Sequence, residues 1–262
     1  MFKKKAKKEQ PNDGMGGSFV GFVLLDSVAF DAELLVKTLR EEWNISIPAE
    51  DADAEKQSVV SEIDGMMAAV SLMPAPIPNG EAVSNARTNF RWPEAVAVAE
   101  AHKAHLMIAV LRREQNAMDA GKLFVKLCAA CLAQPNATGA NVVGSVLAPD
   151  FYCDFAKHCH ANGEFPLMNL VFFGMYQREV GAGISGYTYG MTAFGKQELE
   201  VLDSEHQPSE VFDMLHNVAS YVLESDVTLR DGETLGYSAE QKLPITESKG
   251  AAVDGMTLKI KF

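Results

Sequence analysis

The sequence predicts an α+β fold, with a ferredoxin-like (split βαβ) first half joined to a sheet-rich second half. Three observations carry this prediction. Residues 18–132 alternate short apolar runs with amphipathic stretches in the order β-α-β-β-α-β-α, and the first six elements match the split βαβ arrangement. Asp-Gly pairs stand beside apolar runs at Asp64-Gly65 and Asp254-Gly255, the chemistry that a type I′ hairpin favours because both central residues need positive φ. Beyond residue 160 short alternating runs dominate, with one strong helical pattern.

Ser18–Leu25 is short, apolar and rich in Phe and Val, as a buried strand would be. Asp31 is placed to cap a helix reaching Trp43, because Leu34, Leu35, Thr38, Leu39 and Trp43 share one face at helical spacing. Acidic Glu50–Glu55 reads as a loop. Ser58–Ile63 and Met66–Met73 form the first hairpin, and Pro74, Pro76 and Pro78 hold an extended connection after it. A helix from Glu81 to His102 is expected to break where Pro93 follows Trp92. His105–Leu111 is a strand, and Asn116–Leu132 is a helix with Leu123, Leu127, Cys128 and Cys131 on neighbouring ridges.

In the second half, Leu167–Tyr176 and Ile184–Thr192 read as adjacent strands across a glycine-rich turn. Glu198–Leu202 is a short alternating strand, and Pro208 opens a helix to Glu224. Further strands are expected near Thr234–Tyr237 and in Gly250–Phe262, the latter folded over Asp254-Gly255. The organisation expected is a disordered basic tail at 1–17, a half at 18–160 and a half at 161–262, packed as one unit. Ile63-Asp64-Gly65-Met66 echoes Val253-Asp254-Gly255-Met256. The echo fits a duplicated α+β half, and it equally fits two hairpins that use the same turn chemistry.

Hydrophobic residues make up 47% of the chain and charged residues 22%, a globular balance. The net charge of -12 is uneven: residues 1–10 hold five Lys and one Glu, or +4, which leaves -16 on the rest. Nucleic-acid affinity comes largely from Lys and Arg neutralising phosphates, so the acidic body is not expected to bind DNA or RNA. A basic protein partner suits it better. The apolar runs fall short of the roughly 20 residues that span a bilayer, and no apolar h-region follows the N-terminal lysines. The four cysteines lie in apolar or helical contexts and suit free thiols in the cytoplasm.

Several motifs resemble chemistry without its context. Gly181-Ala182-Gly183-Ile184-Ser185-Gly186 matches G-x-G-x-x-G, but an aromatic strand pattern follows it where a dinucleotide site needs a helix. Cys128-x-x-Cys131 lies inside an apolar helix and reads as buried packing. Cys153, His158, Cys159 and His160 crowd one segment, yet adjacent helical residues point apart, so no metal is expected there. His102-x-x-His105 spans a helix end and a strand start. No cofactor is expected.

Glu198, Glu200, Asp203, Asp231 and Glu233 supply many carboxylates, and strand alternation puts Glu198 and Glu200 on one face. A solvated sheet face is the preferred account. The sharper one is a paired-carboxylate site near Glu198 and Asp231, serving a hydrolase or metal-assisted enzyme. Binding has better-suited residue types. Asn85, Arg87, Asn89, Arg91 and Trp92 make a basic segment in an acidic protein, and Tyr187 and Tyr189 share a strand face. Arg, Trp and Tyr are enriched at binding hot spots. Arg91, Trp92, Tyr187, Tyr189 and Glu198 are therefore the candidate binding residues.

Phe22–Ser27, Asp64–Pro78, Trp92–Val96, Ala104–Leu111, Gly186–Ser204, Leu229–Ile245 and Asp254–Ile260 together resemble the bacterial domain of unknown function 4261 family. The resemblance implies a single bacterial cytosolic unit and brings no catalytic residues with it. Gly190–Val201 is also similar to segments of families that accompany secreted bacterial toxins as immunity or accessory proteins. The expected function is a non-catalytic protein-binding module of that kind. The oligomeric state is left open.

Overall fold

Alternating Phe, Val and Leu make Ser18–Leu25 (β1) an interior strand of a seven-stranded sheet in the computed structural model, which describes residues 18–53, 55–236 and 242–262. The expected basic tail lies outside the described residues. Asp31 accepts from the Leu34 N–H at 2.8 Å and opens helix Ala32–Trp43 (α1) as its N-cap. Strands Ala52–Asp53 (β2), Ser58–Ile63 (β3) and Met66–Met73 (β4) follow. Asp64 and Gly65 sit at φ 50° and 77°, the type I′ turn that the sequence predicts.

After the proline-rich connection come two short helices, Glu81–Ala86 (α2) and Ala95–Ala101 (α3), and strand Ala104–Leu111 (β5). Helix Ala117–Leu132 (α4) is capped by Asn116, and strands Ala137–Val142 (β6) and Ser145–Leu147 (β7) complete the sheet. The order β2-β3-β4-β5-β1-β6-β7 is antiparallel at every pairing. Helix α4 covers one face, with α1 and Pro149–Asn162 (α5) beside it. Helices α2 and α3 cover the other face over β6 and β7 through Leu24, Ala82, Ala95 and Val146.

The chain is α+β, but its first half does not have the ferredoxin-like strand order. A split βαβ places β1 between β4 and β5, whereas here β5 lies between β4 and β1. Helices of six and seven residues reach only about 10 Å, against about 26 Å for an eight-residue strand. They cannot carry the chain back along the sheet as a crossover helix does. The chain returns beside β4, and His102 and His105 tie the proline segment down by accepting from the Ile77 N–H (2.8 Å) and bonding the Ala75 carbonyl (2.8 Å).

Helix Leu167–Leu170 (α6) leads into a six-stranded sheet of Phe172–Tyr176 (β8), Ile184–Tyr189 (β9), Leu199–Ser204 (β10), Thr234–Gly236 (β11), Lys242–Lys249 (β12) and Met256–Ile260 (β13). The order is β11-β12-β13-β10-β9-β8, and the β10–β13 pair is parallel. Helix Pro208–Glu224 (α7) packs on β8, β9 and β10. One core cluster joins the two sheets, and the Phe194 ring, between β9 and β10, packs 5.4 Å from Phe19 on β1 and 5.6 Å from Phe165.

Three local expectations need correction. Leu167–Leu170 is helical, and β9 ends at Tyr189 before a 3-10 turn at Met191–Phe194. The Asp254-Gly255 pair does not close a two-residue turn. Lys249 pairs with Met256, so Gly250–Gly255 form a longer loop, and the echoed Asp-Gly-Met segments are not the same turn. Of the strand expected near Thr234–Tyr237, Tyr237 lies outside the described residues.

Candidate binding cleft

The turn between α2 and α3 is pinned to β7 by one buried side chain. Asn89 donates to the Val146 carbonyl at 2.7 Å and accepts from the Arg91 N–H at 3.0 Å. This fixes Arg91 and Trp92 over the open end of the first sheet. Trp92 rests against β6 at Gly139, where a Cβ would stand 3.5 Å from the indole. From the second half, α7 brings Phe212 beneath Arg91, with the guanidinium 4.3 Å from the ring centroid. Phe90 flanks it at 5.6 Å.

Leu147, Phe151, Met168, Phe172 and Phe173 complete the walls of a cavity of about 130 Å³. Phe173 meets Phe212 edge to face at 5.3 Å, and Phe90 and Phe151 remain 53% and 37% exposed at the rim. The lining carries two polar side chains, Asn89 and Arg91, and Asn89 is satisfied internally. Among the described residues the Arg91 guanidinium has no carboxylate partner and no hydrogen-bond acceptor. Burial among the rings pulls its pKa below the usual arginine value, and it remains a cation throughout the stable pH range. An apolar slot with one unpaired cation can hold a ligand. It offers no nucleophile and no general base.

Tyr187 and Tyr189 lie next to this cleft and do not line it. The Tyr187 ring covers Gly174 across the β8–β9 pair and meets Phe172 at 6.2 Å and Tyr176 at 6.0 Å. Burial raises its pKa, with Tyr176 adding to the effect. Tyr189 lies over Gly144 in the β6–β7 turn and is 47% exposed. Phe172 therefore connects the tyrosine face to the Arg91 cleft.

Glu198 and Glu200 do not form a solvated sheet face. Glu198 is 5% exposed and accepts from Thr188 Oγ1 (2.7 Å), Gly190 N (2.8 Å) and Thr192 N (3.3 Å), so it caps the 3-10 turn. Burial raises its pKa against the pull of those donors. Glu200 is fully buried, accepts from Ala251 N, Ala252 N and Thr257 Oγ1, and pairs with Lys259 Nζ at 2.8 Å. Burial acts to raise its pKa, but Lys259, Ala252, Ala251 and Thr257 outweigh it and hold the carboxyl below its ordinary value. The loops at 190–194 and 250–255 descend on the face that strand alternation would leave to water. Asp203 is bound to Arg178, Asp231 accepts from Glu247 N at 2.8 Å, and Glu233 accepts from Arg230 N at 2.9 Å.

The other motifs are also structural. Gly181–Gly186 leads into β9 with no helix following it. Cys128 and Cys131 are buried in α4, and burial raises both thiol pKa values. On α5, Cys153 faces α4, His158 reaches Asn162 and Glu164, and His160 packs on Trp43 at 5.3 Å. Among the described residues no three His, Cys, Asp or Glu side chains are grouped to hold a metal ion, and no helix is long and apolar enough to cross a membrane. Arg91 and Trp92, singled out in the sequence by residue type, line this cavity, whereas its aromatic walls come from elements distant in the chain. The Phe172-Phe173 pair was the one local signal for them.

The family model described as Domain of unknown function (DUF4261) matches residues 187–261. The matched stretch runs from Tyr187 through β13 and contains Phe212, while the other cleft walls precede it. No curated protein and no solved structure matches the chain.

Proposed function

We propose that this chain is a non-catalytic protein-binding module whose recognition site is the Arg91–Phe212 cleft. The observation that carries the reading is the lining itself, in which aromatic walls lead to one unpaired guanidinium at the surface and no nucleophile or base is present. Aromatic and Arg side chains in a well-packed pocket are the composition of binding hot spots. The exposed rings of Phe90 and Phe151 extend the apolar surface to the rim. With a net charge of -12 on the chain, most of it outside the basic first ten residues, the protein favours encounter with a basic partner, in a salt-sensitive way. We place the module in the bacterial cytoplasm, as an immunity or accessory protein to an effector.

Hydrolysis by carboxylates near Glu198 and Asp231 is less well supported. A general base needs a free oxygen facing substrate, and both Glu198 oxygens already accept bonds from the chain. The test is affinity capture with wild type, Phe151→Glu and Arg91→Glu, followed by calorimetry on the purified partner. A partner held by wild type and weakened at least about tenfold by each variant supports the reading, since hot-spot losses exceed about 1.4 kcal/mol. Unchanged binding by both variants, with folding intact, overturns it.

A further inference from the structure

We infer that the cleft takes the C-terminal residue of its partner, with an aromatic or branched aliphatic side chain in the cavity and the terminal carboxylate on Arg91. This rests on the binding-module reading above and names the chemistry that is recognised. The cavity volume sets the first limit. At about 130 Å³ the space is close to the roughly 150 Å³ apolar cavity that accepts benzene. It is well below the roughly 300–1,000 Å³ typical of cofactor and substrate pockets. One side chain fits.

The Arg91 guanidinium sets the second limit. It stands over the Phe212 ring at 4.3 Å, and its N–H groups have no acceptor among the described residues. A planar guanidinium fork matches a carboxylate in bidentate fashion. Phe90 flanks the guanidinium at 5.6 Å, and Arg91 remains at the surface, where an arriving carboxylate can reach it.

Charge decides where the carboxylate comes from. An acidic segment of a partner would meet a chain of net charge -12 and be repelled. A terminal carboxylate is the anion that even a basic chain carries. It stands one Cα from its own side chain, so the two groups arrive together at the cavity and the cation.

The test uses the full chain and fluorescein-labelled basic hexapeptides that end in Phe as the free acid, Phe as the amide, or Ala as the free acid. In fluorescence anisotropy the Phe acid is expected to bind, and the amide and the Ala acid to bind about tenfold or more weakly. Arg91→Met is expected to erase the acid-to-amide difference while keeping the wild-type melting temperature, and Arg91→Lys to restore part of it. Equal binding of acid and amide by wild type, or no binding of the Phe acid up to about 1 mM, overturns the inference. Extending the identified partner by one C-terminal residue separates the two proposals. If the extended partner still binds and Phe151→Glu still releases it, the cleft reading stands and the terminal-carboxylate inference falls.

Discussion

Replacing Glu200 by Gln tests whether buried carboxylates hold the second sheet together. The wild-type carboxylate has no exposed surface and receives four donors: Ala251 N, Ala252 N, Thr257 Oγ1 and Lys259 Nζ. A glutamine keeps one acceptor oxygen, turns its amide NH₂ toward N–H donors, and leaves the Lys259 ammonium without its counter-charge. Breaking a buried pair from one side costs about 3–5 kcal/mol. The Lys259 side chain keeps 13% of its surface in water, so the low end, about 3 kcal/mol, applies. For a domain above about 150 residues this lowers Tm by roughly 6–12 °C.

Urea and thermal unfolding of Glu200→Gln, Lys259→Met and the double variant measure the coupling, and the double variant is expected to be more stable than Glu200→Gln alone. The pH dependence gives a second check. The folded pKa lies below the ordinary 4.5, so this stabilisation is complete above about pH 4.5 and is lost as pH falls below it. Glu200→Gln should flatten that acid limb. A variant within about 0.5 kcal/mol of wild type with an unchanged acid limb would refute the argument.

Two further predictions concern the first half and the thiols. Burial lowers the His105 pKa against the opposing pull of its bond to the Ala75 carbonyl, with smaller contributions from His102 (lowering) and Glu81 (raising), so the fold favours the neutral ring. Its contribution to stability is complete above about pH 6.5 and is lost as pH falls. His105→Asn should therefore flatten the stability slope between about pH 5 and 7 in urea titrations, and an unchanged slope would count against the assignment. All four cysteines are free, and burial pushes the most accessible, Cys153, up to about 11. A disulfide-exchange colour reagent at pH 7.5 should find almost no fast thiol in the native protein and four after unfolding. A fast native thiol would contradict the burial argument.

What the sequence revealed depended on how local the cause was. Asp31 caps its helix through a bond to the N–H three residues ahead, and Asp64-Gly65 sets its own turn, so both were legible. The β6–β7 hairpin was not, because its turn uses Val143 at φ 45° with Gly144, and valine is a poor signal for positive φ. Helix α5 starts at Ala148-Pro149 with no capping side chain. The strand order turns on α2 and α3 being too short to cross the sheet, which depends on where the chain lands. Glu198 and Glu200 followed strand alternation, but distant backbone N–H groups close over them. Arg91 and Trp92 stood out by type, whereas Phe151, Phe172 and Phe212 reach them only through tertiary closure.

Stability and recognition are coupled at Phe212. Its ring is carried by α7, and α7 is held on β8, β9 and β10. β9 and β10 are linked through Glu198 and Thr188, and β10 is linked to β13 through Glu200, Thr257 and Lys259. These groups lie within residues 187–261 and share no side chain with the cleft. A substitution among them acts on binding only by moving α7. Arg91 and Phe151, in contrast, sit at the surface on elements of the first half. Glu200→Gln should therefore weaken partner binding only near its own lowered melting range, while Phe151→Glu should weaken it at every temperature. Measuring partner affinity against temperature for both variants separates a scaffold built by the matched segment from a recognition surface completed by residues outside it.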